Sequence, residues 1–309
     1  MGKIAFVFSG QGAQYKGMGK DLYENFPEAK AVFEKADRIR PNTADQCFTA
    51  EGAELAETVN TQPCMFAMEL AAAAALAAAG ISADMTAGFS LGELAALTYA
   101  GAVSFEDGFR LVCRRGELMQ QAAEKTETAM MAVLKLDHAQ VEEICGEFQQ
   151  VYPVNYNCPG QLSVSGTKDE MKQFAARVKE AGGRAVPLRV KGGFHSPFMG
   201  SAAEEFRLAL EEAEIKRPRI VLYSDYTGVP YDGDPAELLS KQIDHPVRWQ
   251  KIITGMMKDG VDTFIEVGPG ETLCSLIRKI DGSVQTFHVE DRESLAVVVQ
   301  ALSGTDERK

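Results

Sequence analysis

Cysteine is sparse in this chain and falls in no metal-binding or cross-linking pattern. The six residues, at 47, 64, 113, 145, 158 and 274, are irregularly spaced and include no Cys-x-x-Cys pair. That excludes a zinc ribbon or a disulfide framework and suits buried thiols in a reducing compartment. Basic charge is also short, with 32 Lys and Arg against 44 Asp and Glu and a formal net charge of -12. Nucleic acid and anionic membrane both need a basic face, so neither is expected as a partner. The opening MGKIAFVFSG holds no secretory apolar segment and lacks the Ser or Thr at position six that myristoylation requires. The apolar run 65–79 contains Glu69, is mostly alanine, and reads as a core helix too short to cross a bilayer. A cytoplasmic location is the expectation.

What is there has the composition of an ordinary globular chain, 45% hydrophobic over 309 residues, enough for a large domain and a smaller companion. KIAFVFSG (3–10) is a near-continuous apolar run ending in Gly, the pattern of a buried parallel strand. A helical pattern over about 21–38 is interrupted by Pro27. Residues 39–61 read as irregular, and 62–80 as an Ala-rich helix stopped by Gly80. MTAGF (85–89) is a short strand, LGELAALTYAGA a helix, and 104–125 a second helix opened by Ser104 as N-cap. Segment 129–190 then runs strand, helix, two strands joined by CPG, helix, strand, which is the ferredoxin-like β-α-β-β-α-β order. Beyond it come a helix at 196–215, strand 219–225, helices PAELLSKQI and WQKIITGMMKDG, strand DTFIEVGPG, a helix, and a last strand VQTFHV. Strand–helix alternation on both sides of the insert implies an α/β fold with a parallel sheet covered on both faces. The expected organisation is a large domain of 1–126 and 192–309 interrupted by a small ferredoxin-like domain, 127–191. The tail SGTDERK is expected to fray.

Gly88–Phe89–Ser90–Leu91–Gly92 matches Gly-x-Ser-x-Gly, the nucleophile elbow, between a strand and a helix as that turn demands. Four histidines compete to activate Ser90. His138 opens a helix of the insert and reads as solvated surface. His245 precedes Pro246 and reads as a loop or capping residue. His288 lies in the last strand, where a conventional α/β-hydrolase would place its base. His195, in VKGGFHSPFMG, follows a strand and two glycines on a loop that could reach a neighbouring strand end, or simply starts a helix. The residues alone leave those two readings open. No His, Cys or acid grouping has the spacing of a metal site, and no metal or redox cofactor is expected.

Eight segments in order carry a family resemblance: FVFSGQGAQ (6–14), TQP (61–63), GFSLGE (88–93), RRGELMQ (114–120), NYNCPGQLSVSG (155–166), GGFHSPFM (192–199), HPVRW (245–249) and IEVGPGETL (265–273). Over nearly its whole length the chain resembles the malonyl-CoA:acyl carrier protein transacylases and the acyltransferase domains of fatty acid and polyketide synthases. The resemblance implies an α/β-hydrolase-like domain with a ferredoxin-like insert closing the cleft. It further implies Ser90 as nucleophile, His195 as base, and the backbone N–H groups of Gln11 and Leu91 as oxyanion hole. Arg115 matches the arginine that grips the malonyl carboxylate, which a planar guanidinium does bidentately. Arg114 and Arg115 cannot share a helix face, so one can enter the cleft while the other meets water. Asn157 is carried over as a polar contact from the insert.

Three departures stand out. Phe89 replaces the usual histidine before the nucleophile, FSGQG replaces FPGQG, and Arg248 stands where some members carry Gln. The first bears on local polarity and acyl selection. At the third, the family histidine is oriented chiefly by a backbone carbonyl. Phe194, beside His195, matches the FH pair that accompanies malonyl in related synthase domains, since a ring there fills the space an α-methyl would need. The resemblance therefore implies malonyl-CoA as donor, an acyl carrier protein as acceptor, ping-pong transfer and fatty acid synthesis, by a monomer. A polyketide assembly line supplied in trans, or a serine thioesterase or acyl hydrolase, is the alternative. A basic run, Lys168, Lys172, Arg177, Lys179, Arg184, Arg189 and Lys191, is a candidate surface for the acidic carrier.

Overall fold

The structure, a computed structural model, describes residues 2–303. Residues 304–309 of the tail expected to fray lie outside the described residues. Among the described residues, nine strands form two sheets: β1 Lys3–Phe8, β2 Met85–Gly88, β3 Thr128–Leu134, β4 Val151–Cys158, β5 Gln161–Thr167, β6 Arg184–Pro187, β7 Val221–Leu222, β8 Val261–Val267 and β9 Gln285–Val289. The first sheet is parallel throughout, in the order β7-β2-β1-β8-β9. Its central strand alternates faces: Ile4, Phe6 and Phe8 enter one apolar cluster, Ala5 and Val7 the other, as a strand with helices on both sides must. From β1 the chain runs to β2 and β7 on one side of the sheet, then crosses back to β8 and β9 on the other. The carboxyl ends of these strands therefore part at the switch point where α/β sheets hold their ligands.

The second sheet is antiparallel in the order β4-β5-β3-β6, with the helices His138–Cys145 and Lys168–Glu180 completing the ferredoxin-like order. Its own core includes Val133, Val141, Leu162, Val164, Phe174 and Val178. A parallel bridge joins it to the large domain: Tyr156 N–H donates to the Val247 carbonyl at 2.9 Å and Val247 N–H to the Val154 carbonyl at 2.8 Å.

Some elements differ from expectation. Pro27 does not kink one helix but opens the second of two, Lys20–Asn25 and Pro27–Ile39, at a position where its missing N–H costs nothing. The stretch read as irregular contains the helices Thr43–Thr49 and Gly52–Leu55. The Ala-rich helix starts earlier, at Thr58, and runs to Ala78. At 21 residues it is long and apolar enough to cross a membrane, so length was the wrong ground for placing it in the core. Burial is the right one, since 83% of its most apolar window lies inside the protein. The strands read at 184–190 and 219–225 shrink to β6 and β7. Leu188 to Val190 belong instead to the segment that carries the chain toward His195.

Candidate active site

Ser90 sits at the turn between β2 and the helix Gly92–Tyr99 with φ +58°, a left-handed conformation unfavourable to any residue with a Cβ. The flanking glycines make that turn possible. A Cβ on Gly88 would lie 1.9 Å from the Gly92 carbonyl carbon, and one on Gly92 would lie 2.5 Å from the Phe8 carbonyl oxygen. Substitution at either position would collide with backbone, which cannot yield as a flexible side chain would.

His195 also holds φ +59° and is 3% exposed. Its Nε2 lies 2.7 Å from Ser90 Oγ, and its Nδ1 lies 2.8 Å from the Gln242 carbonyl oxygen. A carbonyl only accepts, so Nδ1 carries the proton and Nε2 offers its lone pair to the serine hydroxyl. Burial first, and then the Arg115 charge, lower the imidazole pKa from 6.5 to about 4, leaving a neutral base at physiological pH.

Arg115, 1% exposed, enters from the helix Phe105–Glu124, while Arg114 faces solvent and pairs with Glu117 and Glu205. The Arg115 guanidinium donates to Gln62 Oε1 at 3.0 Å, Gln242 Oε1 at 2.7 Å and Ser90 Oγ at 3.2 Å. Every contact is a neutral oxygen. Burial lowers its pKa to about 10, against the pull of Glu93 and Asp225. A buried cation with no carboxylate in contact is arranged to receive one.

The oxyanion candidates lie on opposite loops. Leu91 follows the nucleophile, and Gln11 sits in the loop after β1. That loop is braced from below by Glu266, which accepts from Ser9 Oγ, Leu273 N–H and Cys274 N–H. Among the described residues, neither the Gln11 nor the Leu91 N–H finds a partner. A cleft of about 220 Å³ is lined by Gln11, Phe89, Asn155, Asn157, Leu188 and Leu273, among others. Asn157 faces it from β4, donating to Ser163 Oγ at 3.2 Å and leaving Oδ1 unpartnered. The Phe89 ring stacks edge-on against Trp249, 5.4 Å between centroids, so an apolar wall stands where the family histidine would be. Phe194 is buried in the main core, against Gly192, and is not part of that cleft's lining.

Arg248 must be withdrawn from the site. It is exposed, donates to the Tyr226 carbonyl, and lines a separate cavity of about 520 Å³ with Tyr156, Tyr223 and Lys258. Tyr156 lines that cavity, while its neighbours in β4, Asn155 and Asn157, line the 220 Å³ cleft. The carbonyl that orients His195 belongs to Gln242, six residues earlier, at the end of the helix Pro235–Asp244. His138 is not simply solvated: its Nε2 bonds the Cys158 carbonyl at 3.0 Å. His245 caps its helix end through the Lys241 carbonyl, and His288 in β9 lies near Glu290, apart from the site.

Sequence reasoning missed the support behind the dyad. Gln242 Nε2 donates to the Ser90 carbonyl at 2.6 Å and to Glu93 at 2.8 Å, and lies 3.3 Å from Asp225. Asp225 Oδ2 accepts the Ser90 N–H at 2.6 Å. Gln62 and Glu93 lie inside the motifs TQP and GFSLGE and were there to be noticed; Asp225 and Gln242 fall outside every motif. The basic run on the insert is mostly spent locally: Lys168 pairs with Glu127, Lys172 with Asp169, Arg177 with Glu147 and Glu180, and Lys191 with Glu57.

The model of the acyl transferase domain family matches residues 5–301. The Malonyl CoA-acyl carrier protein transacylase of Bacillus subtilis is 38% identical over 98% of both chains. The crystal structure of the corresponding transacylase from Clostridium perfringens superposes with a TM-score of 0.95 at 37% identity, covering 98% of each chain. A malonyl-transacylase solved in complex with a type II polyketide-synthase acyl-carrier protein gives a TM-score of 0.92 at 32% identity, over 97% of this chain and 99% of that one.

Proposed function

The chain belongs to the acyl transferase domain family, and from that membership we propose that it moves a malonyl group from malonyl-CoA to the phosphopantetheine thiol of an acyl carrier protein, supplying extender units for fatty acid synthesis. The observation that carries the choice of acyl group is Arg115, a buried guanidinium 3.2 Å from the nucleophile whose contacts are all neutral.

Transfer runs as a ping-pong cycle through a malonyl-serine ester. Ser90 Oγ attacks the thioester carbonyl as His195 Nε2 takes its proton, and the developing oxyanion accepts from the Gln11 and Leu91 N–H groups. Collapse breaks the carbon–sulfur bond, and the proton on Nε2 goes to the departing CoA thiol. The carrier thiol then repeats the sequence in reverse, giving its proton to His195 and releasing Ser90. Arg115 holds the distal carboxylate, so the acyl carbon is presented in one orientation. Asn157 contributes a polar contact from the small domain, Phe89 supplies the apolar wall, Phe194 backs the His195 loop from the core, and no cofactor enters the balance beyond the CoA thioester as substrate. The proposed working unit is the monomer, one chain supplying every residue of the cycle, and its proposed place is the cytoplasm.

Intact-protein mass spectrometry after brief exposure to malonyl-CoA, and then to holo carrier protein, tests the reading. The expected result is a malonyl adduct on the wild type, absent in Ser90→Ala, that discharges onto the carrier. An adduct that passes only to water would make the protein a thioesterase.

A further inference from the structure

Behind the dyad lie two carboxyls that the cycle above does not use. Glu93 and Asp225 are both fully buried, and they lie on the far side of the Gln242 amide from Arg115. That amide is polarised end to end: its oxygen accepts from the guanidinium, and its nitrogen donates to Glu93 and approaches Asp225.

The two acids are provided for unequally. Glu93 accepts from Tyr231 O–H at 2.6 Å, Gln242 Nε2 at 2.8 Å and Asp225 N–H at 3.2 Å, so both of its oxygens face donors. Asp225 Oδ2 accepts the Ser90 N–H, but Oδ1 is buried without any partner. An ionised oxygen left bare in the interior is far more costly than a bare hydroxyl. Resting on the malonyl reading of Arg115, we propose that Asp225 is a positioning residue, the acid of the pair that stays neutral while Glu93, with donors on both oxygens, is the one that ionises, and that Asp225 Oδ2 fixes the Ser90 amide and so the strained turn that aims the nucleophile. Burial and the neighbouring Glu93 charge, which push Asp225 well above the usual carboxylate range, act in the same direction.

The arrangement has a charge consequence. Above about pH 7, where Glu93 is ionised, one carboxylate against Arg115 leaves the pocket balanced before substrate arrives. Ionising Asp225 as well would leave a surplus negative charge where the malonyl carboxylate must settle. The charged and titratable groups facing Asp225 are Glu93, Arg115 and Tyr231, with His195 across the nucleophile. Malonyl-CoA binding should therefore weaken as pH rises, and acetyl-CoA, which has no carboxylate, should not share that loss.

The test measures the rate and concentration dependence of malonyl-Ser90 formation between pH 6 and pH 9. Asp225→Ala, which removes the acceptor of the Ser90 amide, should slow loading at saturating malonyl-CoA by about 10²-fold with little change in KM. Asp225→Asn keeps an acceptor and cannot ionise. It should restore most of the loading rate at pH 7 and remove the part of the wild-type KM rise that lies above about pH 8, leaving the part near pH 7 that follows Glu93. A wild-type rate in Asp225→Ala, an Asp225→Asn variant as slow as the alanine one, or an unchanged KM–pH profile in Asp225→Asn would each overturn the proposal. If Asp225→Ala does not fold, the pH profile of Asp225→Asn decides alone. Failure of the wild type to load malonyl at all would instead sink the transacylase reading, so the two failures are told apart.

Discussion

Arg115 spends its donors on two glutamine side chains and a serine, and this makes its replacement informative. Arg115→Ala should lower malonyl loading by about 10²-fold or more, the scale of losing one partner of a buried charge pair, while acetyl loading changes little. Equal losses for both acyl groups in a loading assay would mean that the arginine is structural. His195 yields a second expectation. Held near pKa 4 by burial and Arg115, it should keep loading from neutral pH down to about pH 5, well below the ordinary histidine range, before the rate falls. An acid limb at 6.5 would contradict that. The residues legible in the sequence were those whose local turn or motif announces them, such as Ser90 between its glycines. Gln242 and Asp225 have no local signature: they reach Ser90 from 152 and 135 positions away, and only folding brings them there.

Among the elements, Phe105–Glu124 is the one that delivers the guanidinium, and its beginning was readable in advance. Ser104 accepts the Asp107 N–H as N-cap, with Glu106 and Asp107 in the first turn. Ser104→Ala should cost about 1 kcal/mol of stability, seen as a lower denaturation midpoint, with loading at 25 °C unaffected. A midpoint unchanged would show that tertiary packing alone sets the helix start. The ferredoxin-like order was equally readable, because alternation and turn residues mark each of its strands. The helices Thr43–Thr49 and Gly52–Leu55 were not, being too short for an apolar period to show. They are fixed by contacts with other segments, such as the Cys47 carbonyl with Gly17 N–H, Cys47 Sγ with the Cys64 carbonyl and the Leu55 carbonyl with Thr61 Oγ1. β6 and β7 came out shorter than their apolar runs because β-propensity does not say where pairing stops.

For the whole molecule, buried acids govern how stability follows pH. Burial holds Glu93 and Glu266 up to about 7 and pushes Glu69 and Asp225 well above the usual carboxylate range. Each contributes fully below its unfolded pKa of about 4, and that contribution is lost as pH rises through the folded value. His195 acts oppositely, its share being present above 6.5 and lost as pH falls toward about 4. Four carboxyls outweigh one imidazole, and the surplus of negative charge repels itself more as pH rises. Surface carboxylates such as Glu51 and Glu147 shift downward but are solvent-screened. Tm should therefore be higher at pH 5.5 than at pH 8, and a calorimetric Tm that climbs steadily from acid to alkali would refute the account. The left-handed backbone at Ser90 carries a consequence of another kind, a trade-off between activity and robustness. A glycine at that position adopts the same turn without steric penalty, so Ser90→Gly should be more stable than Ser90→Ala by about 1 kcal/mol while both are inert. Drift that was free of selection for acyl transfer would thus run downhill at the nucleophile first, and a relative that kept the fold but lost the chemistry would be recognised by a glycine there.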